Sequence, residues 1–366
     1  MKTPIVQFGT SRFLQAHADL FISEALAVGQ AVGLITVVQT TGAAERSARL
    51  PALADPNGFP VRIRGLVDGV PQDSEVRVRS VVRALSTAAN WDSVVRVCVE
   101  EAEILISNTG DAGYQIPADD LSNVPSKSFP GKLLLLLRAR FEAGGRALTI
   151  LPCELVPRNG EVLSRLMAEL ARARYPADTG FHNWLSNAIV WANSLVDRIV
   201  SEPIEPAGAI AEPYALWAIE AQPGLAVPCR HPAVKVVADL TPYEKLKLHI
   251  LNLGHTVLAD IWLAEQRDAG ETVRELLTDA RIRGILLSIY EEEVIPAFAR
   301  MGLGTEAKNY VAETLERFDN PFLNHRLSDI AGNHAEKIRR RIGGLRAWSG
   351  ATSTPQLSAI EQRNGQ

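Results

Sequence analysis

Cysteine is scarce: Cys98, Cys153 and Cys229 are an odd number at wide spacing in 366 residues. With no CxxC pair and no close histidine partner, neither a disulfide framework nor a structural zinc site is supported, and the ligand supply of a zinc alcohol dehydrogenase is missing. The chain also lacks any apolar run near the roughly eighteen residues that a membrane span requires. Its first residues, MKTPIVQFG, pass straight into a strand-like segment, without the apolar region and small-residue cleavage site of a secretory signal. Charge of neither sign dominates. The 38 basic and 42 acidic residues leave a net charge of −4, and the basic ones are scattered, so the electrostatic footprint of a nucleic-acid binder is absent. These absences predict a cytoplasmic, metal-independent protein, monomeric or a small homo-oligomer, with a small-molecule ligand and neither nucleic-acid nor membrane partners.

What is present is length and rhythm. A chain of 366 residues exceeds what one compact core usually holds, which predicts two domains. The first two hundred residues alternate β-branched runs with amphipathic stretches: Ile5 to Phe8, a helix-like Ala16 to Leu26, then Leu34 to Val38. Further strand candidates are Val61 to Ile63, Val76 to Val78, Ile104 to Ile106, Leu148 to Leu151 and Ile189 to Trp191, with helical stretches at 131–141 and 161–175. Breaker-rich Glu202 to Gly224 reads as the connection to a second domain. Beyond Thr241 long 3.6-period segments take over, roughly 243–266, 271–279, 281–299, 304–317 and 322–345. The fold class is α/β: a Rossmann-like dinucleotide-binding domain (1–205), then a mainly α-helical catalytic and substrate domain (206–366). The polar tail Thr352 to Gln366 reads as frayed.

Gly9-Thr10-Ser11-Arg12-Phe13 falls where the first strand gives way to the first helix, the place where backbone N–H groups meet a pyrophosphate. A full GxGxxG would have glycines at 9, 11 and 14; this chain has Gly9, Ser11 and Leu14, so taken alone the motif fits an ordinary strand-to-helix turn better than a nucleotide site. The Ser11 hydroxyl is itself a possible phosphate donor. The second strand ends at Gln39-Thr40-Thr41-Gly42 with no acid for the ribose hydroxyls of NAD, and Arg46 and Arg49 downstream offer a 2′-phosphate partner or a solvated face; NAD is expected and NADP stays open. Ser107-Asn108-Thr109-Gly110-Asp111 is a small polar turn of the kind that runs under a dinucleotide, or a plain turn.

Tyr243 to Thr256 concentrates ionisable groups on an apolar helix. At about 100° per residue, Lys247, His255 and Asn252 lie at about 0°, 80° and 140°, so one side presents an amine, an imidazole and an amide. Hydride transfer from a secondary alcohol needs a base for the hydroxyl proton and a donor for the alkoxide-like oxygen, and these groups suffice without a metal. The bland reading is a snorkelling lysine, a locally bonded asparagine and a satisfied core histidine. Gly254 in mid-helix costs about 1 kcal/mol relative to alanine, which points to a close approach there, by the nicotinamide or by another helix.

The motif Lys-x4-Asn-x2-His at Lys247, Asn252 and His255 resembles the signature of the mannitol dehydrogenase family of long-chain polyol and uronate dehydrogenases. Four further blocks resemble the family in the same order: 8–17 its cofactor loop, Pro152-Cys153-Glu154-Leu155 with Asn159-Gly160 the strand end facing the nicotinamide, Asn193 to Ile199 a substrate-binding segment, and Arg317 to Phe322 with His325 its C-terminal block. The resemblance implies Lys247 as general base, Asn159 and Asn252 as an oxyanion hole, and His255, Asp197, Arg317 and His325 at the substrate. It also implies Glu244 as a gate for proton release, and Gly9, Thr10, Ser11, Arg12, Phe13, Gln39, Thr40, Asn108, Thr109, Gly110 and Glu154 around the cofactor. A sugar alcohol and its ketose are the implied substrate pair. Pro152 to Leu155 and Asn320 to Phe322 look more like the uronate-reductase branch, the alternative reading.

Two competing readings remain at this level. Tyr243-x3-Lys247 matches the dyad of short-chain dehydrogenases, although that dyad belongs to a single-domain chain with a different glycine-rich start. A non-catalytic dinucleotide sensor is the other, though it has no need of Lys247, Asn252 and Asn159 together.

Overall fold

The computed structural model describes residues 2–42, 47–110, 113–117, 120 and 125–364; Arg46 and Asp111 of the sequence reading lie outside the described residues. The chain forms two compact units: residues 1–63, 74–211 and 215–240, and residues 64–73, 212–214 and 241–366.

In the first unit, β1 (Ile5–Phe8) and β2 (Ile35–Gln39) are followed by the long strands β3 (Phe59–Val67) and β4 (Val70–Val78), whose residues 64–67 and 70–73 belong to the second unit, then by β5 (Val81–Ser86), β6 (Ile104–Ser107), β7 (Leu148–Pro152) and β8 (Ile189–Trp191). Six of these make a parallel sheet in the order β5-β2-β1-β6-β7-β8. With β3 and β4 set aside as an insertion, that is the doubly wound order whose direction reverses between β1 and β6. β1 and β2 are buried at every position, as strands covered on both faces must be. Side chains alternate between faces: Val6 and Phe8 join Leu133, Leu163 and Phe181 in one core, while Ile5, Ile35 and Val37 join Phe21 and Leu20 in the other. Each such fully buried side chain contributes roughly 1.5–3 kcal/mol of transfer free energy. The expected Rossmann-like domain is therefore present.

The same unit holds β9 (Ser194–Asp197), β10 (Val200–Pro203), β11 (Ala209–Ala211), β12 (Leu216–Glu220) and β13 (Val234–Val237). β10 and β11 extend the β3-β4 pair, and β12 stands between β9 and β13. The breaker-rich stretch 202–224 is thus no bare connection, because its prolines flank short strands that pair with distant ones.

Asp19, on the helix Ala18–Ala27, has no exposed surface, and its carboxyl meets the Gln7 amide at 3.4 Å. Burial pushes its pKa up from 3.8 to about 8. Between those values the folded state keeps a proton that the unfolded state has lost. Stability therefore falls as pH rises through that window, by up to about 1.4 kcal/mol per pH unit. Asp19→Asn is expected to flatten the fall, read as melting temperature against pH from about 5 to 8; an undiminished slope in the variant overturns this account.

The second unit is helical, as expected, around a core that includes Leu253, Val257, Leu286, Tyr290, Phe298 and Ile342. Three of its helices are interrupted by a π turn: Lys247–Leu251 before the helix Asn252–Ala264, Tyr290–Val294 after Ala280–Ile289, and Arg339–Gly343 after His334–Ile338. The C-terminal tail is not frayed. Pro355–Asn364 is a helix with Leu357 and Ile360 buried, and the Glu293 carboxylate accepts hydrogen bonds from the backbone N–H groups of Gln356 and Leu357 at its start. Among the described residues, no helix is long and apolar enough to cross a membrane.

Candidate active site

The first cluster of expected residues sits in the first unit, at the carboxyl ends of β1, β2 and β6. Gly9, Thr10, Ser11, Arg12, Gln39, Thr40, Asn108, Thr109 and Gly110 line one cleft of about 320 Å³, together with Thr41 and Arg49. This is the switch point of the sheet, where open α/β folds bind ligands. Gly9 has φ +119°, and a Cβ there would stand 2.5 Å from the Asn108 carbonyl oxygen. Only glycine lets these two strand ends close to that distance while leaving the backbone bare. Ser11 caps the short helix Arg12–Gln15, accepting from the Leu14 N–H, and donates its own proton to Asn108 Oδ1 at 3.1 Å. Its hydroxyl thus ties two cleft loops together, where the sequence reading had it as a phosphate donor.

Of the expected cofactor residues, Arg12 does more than line the cleft, and Phe13 and Glu154 stand outside its lining. The Arg12 guanidinium donates to the carbonyls of Ile204, Pro206 and Gly208 and pairs with Glu205 at 2.7 Å, so it anchors the 204–208 loop. Phe13 does not line the cleft; its ring stacks on His17 at 4.7 Å and packs against the core. Glu154 stands behind the wall, its carboxylate accepting from Ser107 Oγ, the N–H and Oγ1 of Thr109, and Tyr114 Oη. Those donors offset part of the burial that pushes its pKa up. Among the described residues no acid lines the end of β2 in this cleft; Gln39 accepts from Ser47 Oγ.

Asn159 and Asp197 also belong to the first unit and are both buried. The Asn159 amide nitrogen donates to the carbonyls of Pro152, Glu154 and Ser194, while its oxygen accepts from the N–H groups of Gly160 and Ser194. With two hydrogens already directed at three carbonyls, this amide stitches the end of β7 to β9. Asp197 ends β9, in register with Leu216 of β12.

Lys247, Asn252 and His255 belong to the second unit, with Glu244 in the turn just before them. Here the structure corrects the helical projection. Lys247 opens a π turn, and the Asn252 N–H donates to the Lys247 carbonyl, an i→i+5 bond. One turn of that kind takes roughly 4.4 residues, so Asn252 lies about 50° around the axis from Lys247 instead of about 140°. His255 follows three residues later on the α-helical part, still within reach of the same side. Its ring lies 4.6 Å from those of Phe318 and His325. Burial holds His325 below the usual imidazole range.

Gly254 is explained by Tyr290 and Phe318: a Cβ there would lie 2.0 Å from the Tyr290 hydroxyl and 3.1 Å from the Phe318 ring. A neighbouring helix, not a cofactor, makes the close approach. Arg317 is nearly buried, pairing through Nε and Nη2 with both carboxylate oxygens of Glu212 at 3.0 and 2.8 Å, and its guanidinium covers Tyr214 at 4.2 Å. Glu212, Tyr214 and Tyr290 were missed from the sequence. Only Gly254 signalled one of them, since nothing local connects Glu212 to a residue 105 positions away.

The sequence profile of the mannitol dehydrogenase Rossmann domain matches residues 3–227, and that of the mannitol dehydrogenase C-terminal domain matches 239–353. The chain belongs to the mannitol dehydrogenase family. It is an oxidoreductase of that family. The altronate oxidoreductase of Klebsiella pneumoniae is 30% identical over 391 residues, spanning 99% of this chain and 76% of its own length. A substrate-free D-sorbitol dehydrogenase superposes with a TM-score of 0.82 at 21% identity, over 100% of this chain and 80% of its own. The Pseudomonas fluorescens mannitol 2-dehydrogenase, solved with NAD and D-mannitol, superposes with a TM-score of 0.77 at 19% identity, over 100% and 79%. At those identities the likeness shows the fold.

Proposed function

We propose that this family member interconverts a secondary alcohol of an open-chain sugar acid of the altronate class with its ketone, using NAD(H). The observation that carries the chemistry is the π turn that brings Asn252 round towards the Lys247 side of the helix, with His255 close behind. The cleft at the β1–β6 switch point fits a dinucleotide, since Gly9 leaves bare backbone where any Cβ would collide with Asn108. Bound there, a nicotinamide supplies the hydride acceptor. Lys247 takes the carbinol proton, the Asn252 amide steadies the oxygen as negative charge grows on it, and Glu244 passes the proton on towards water. His255, His325 and Asp197 orient the hydroxyl chain. In this scheme Asn159 holds the end of β7 in place, and Arg317 keeps Tyr214 and Glu212 in position.

The altronate class is supported by the name of the 30% identical relative, which aligns along nearly the whole chain. A neutral hexitol and its ketohexose form the second reading, and one observation favours it: the charge of Arg317 is already balanced by Glu212, so it adds little attraction for a substrate carboxylate. Initial rates with D-altronate, other aldonates, hexitols and pentitols, each with NAD and NADP, separate the two. The first reading expects kcat/KM at least about 100-fold higher for an aldonate than for the best hexitol, a discrimination of the size that one well-placed charged contact provides. A hexitol ahead of every aldonate overturns it.

A further inference from the structure

The three π turns of the helical unit lock onto one another. The Tyr290 hydroxyl, on the first residue of the second π turn, donates to the Ile250 carbonyl inside the first at 3.0 Å. Arg341, within the third, donates through Nη1 to the Asn252 carbonyl at 3.0 Å and to Thr256 Oγ1 at 2.9 Å, and its own carbonyl lies 2.8 Å from His249 Nδ1. Burial lowers the His249 pKa to about 4, so the ring is neutral and Nδ1 is the donor. Gly254 leaves the gap through which Tyr290 reaches in. An isolated helix prefers the α register, and a π turn persists where its surroundings hold it. In the α register Asn252 would sit about 140° away from Lys247.

We propose that Tyr290 and Arg341 are positioning residues that hold the Lys247–Leu251 π turn and so keep the Asn252 amide on the Lys247 side of the helix. The proposal rests on the reading of Lys247 as general base. Neither residue touches substrate: Tyr290 grips the backbone just below Asn252, and Arg341 grips it at Asn252 itself. Loss of either grip lets the turn relax towards the α register, which moves the amide off the reacting oxygen without emptying the substrate pocket. The expected signature is a fall in kcat with little change in KM or in cofactor affinity.

The test compares Tyr290→Phe, Arg341→Met, Gly254→Ala and Lys247→Met, using the aldonate or hexitol with the highest kcat/KM, with NADH binding followed by fluorescence and folding by thermal melting. Tyr290→Phe and Arg341→Met are each expected to lower kcat about tenfold or more, the scale of a misplaced reacting group, with KM and NADH affinity within about twofold. Gly254→Ala is expected to be as damaging on its own, because its methyl meets the Tyr290 hydroxyl. In the Tyr290→Phe background, where that oxygen is gone, it should add little. Such non-additivity is not produced by two independent structural losses. If Lys247→Met abolishes turnover while the folded Tyr290→Phe and Arg341→Met enzymes keep parental kcat, the lock is wrong and the base stands. If Lys247→Met keeps turnover, the reading of the base fails first. Equal rises in KM and falls in kcat, additive with Gly254→Ala, also overturn the lock.

Discussion

Lys247→Met is expected to lower kcat/KM by about 10²–10⁴-fold, the range that a positioned general base supplies, while dinucleotide binding stays intact. Methionine keeps an unbranched stem on the π turn but removes the amine, so the change tests proton transfer more than packing. Lys247 is only half-buried at the start of that turn, and the N–H to carbonyl bond from Asn252 closes the turn. The amide alone can still steady the alkoxide, so a residue of activity remains. Rates come from NADH absorbance, and binding from NADH fluorescence. Turnover within about twofold of the parent excludes the role.

Glu212→Leu is expected to destabilise the helical unit by about 3–5 kcal/mol, because it removes the carboxylate that meets a buried guanidinium through two hydrogen bonds. The side chains of Arg317 and Glu212 are only 4% and 1% exposed and meet through two hydrogen bonds. Replacing both, as Glu212→Leu with Arg317→Met, should return most of the loss, since two apolar groups of similar volume need no pairing. Urea unfolding of the two single variants and the double variant completes the cycle. A single variant that loses less than about 1 kcal/mol would show that the pair is not the buried, mutually dependent contact described.

Parts of this molecule were legible in the sequence because local physics writes them there. The mainly apolar, β-branched runs of β1 and β2, the glycine after β1 and the long 3.6-period segments beyond Thr241 each report their own element. β4 was mostly illegible because it is exposed along most of its length and so shows no alternation of apolar and polar residues. Strands β9 to β13 are short and interleaved with prolines, and their pairing with each other and with β3 is set by tertiary packing. At the site, the identities of Lys247, Asn252 and His255 were readable but their angular relation was not. A projection at a constant 100° per residue has no place for a π turn, and what holds this one, Tyr290 and Arg341, lies about 40 and 90 residues downstream. Most residues that line the cleft at the switch point were named from the sequence, yet Phe13 and Glu154 stand outside its lining and Arg12 also anchors a neighbouring loop, a distinction that only partners across the fold reveal.

The helical unit is not one continuous length of chain, and this bears on attempts to excise it. A fragment beginning at Thr241 would omit 64–73 and 212–214, which are counted with that unit. It would lose the carboxylate opposite Arg317, the tyrosine ring beneath that guanidinium, the Arg64 carbonyl that receives the Asn320 amide, and the cation over Phe322. Two short borrowed peptides thus decide whether the C-terminal third can stand by itself, and a truncated gene product should emerge as an aggregation-prone, partly ordered helix bundle.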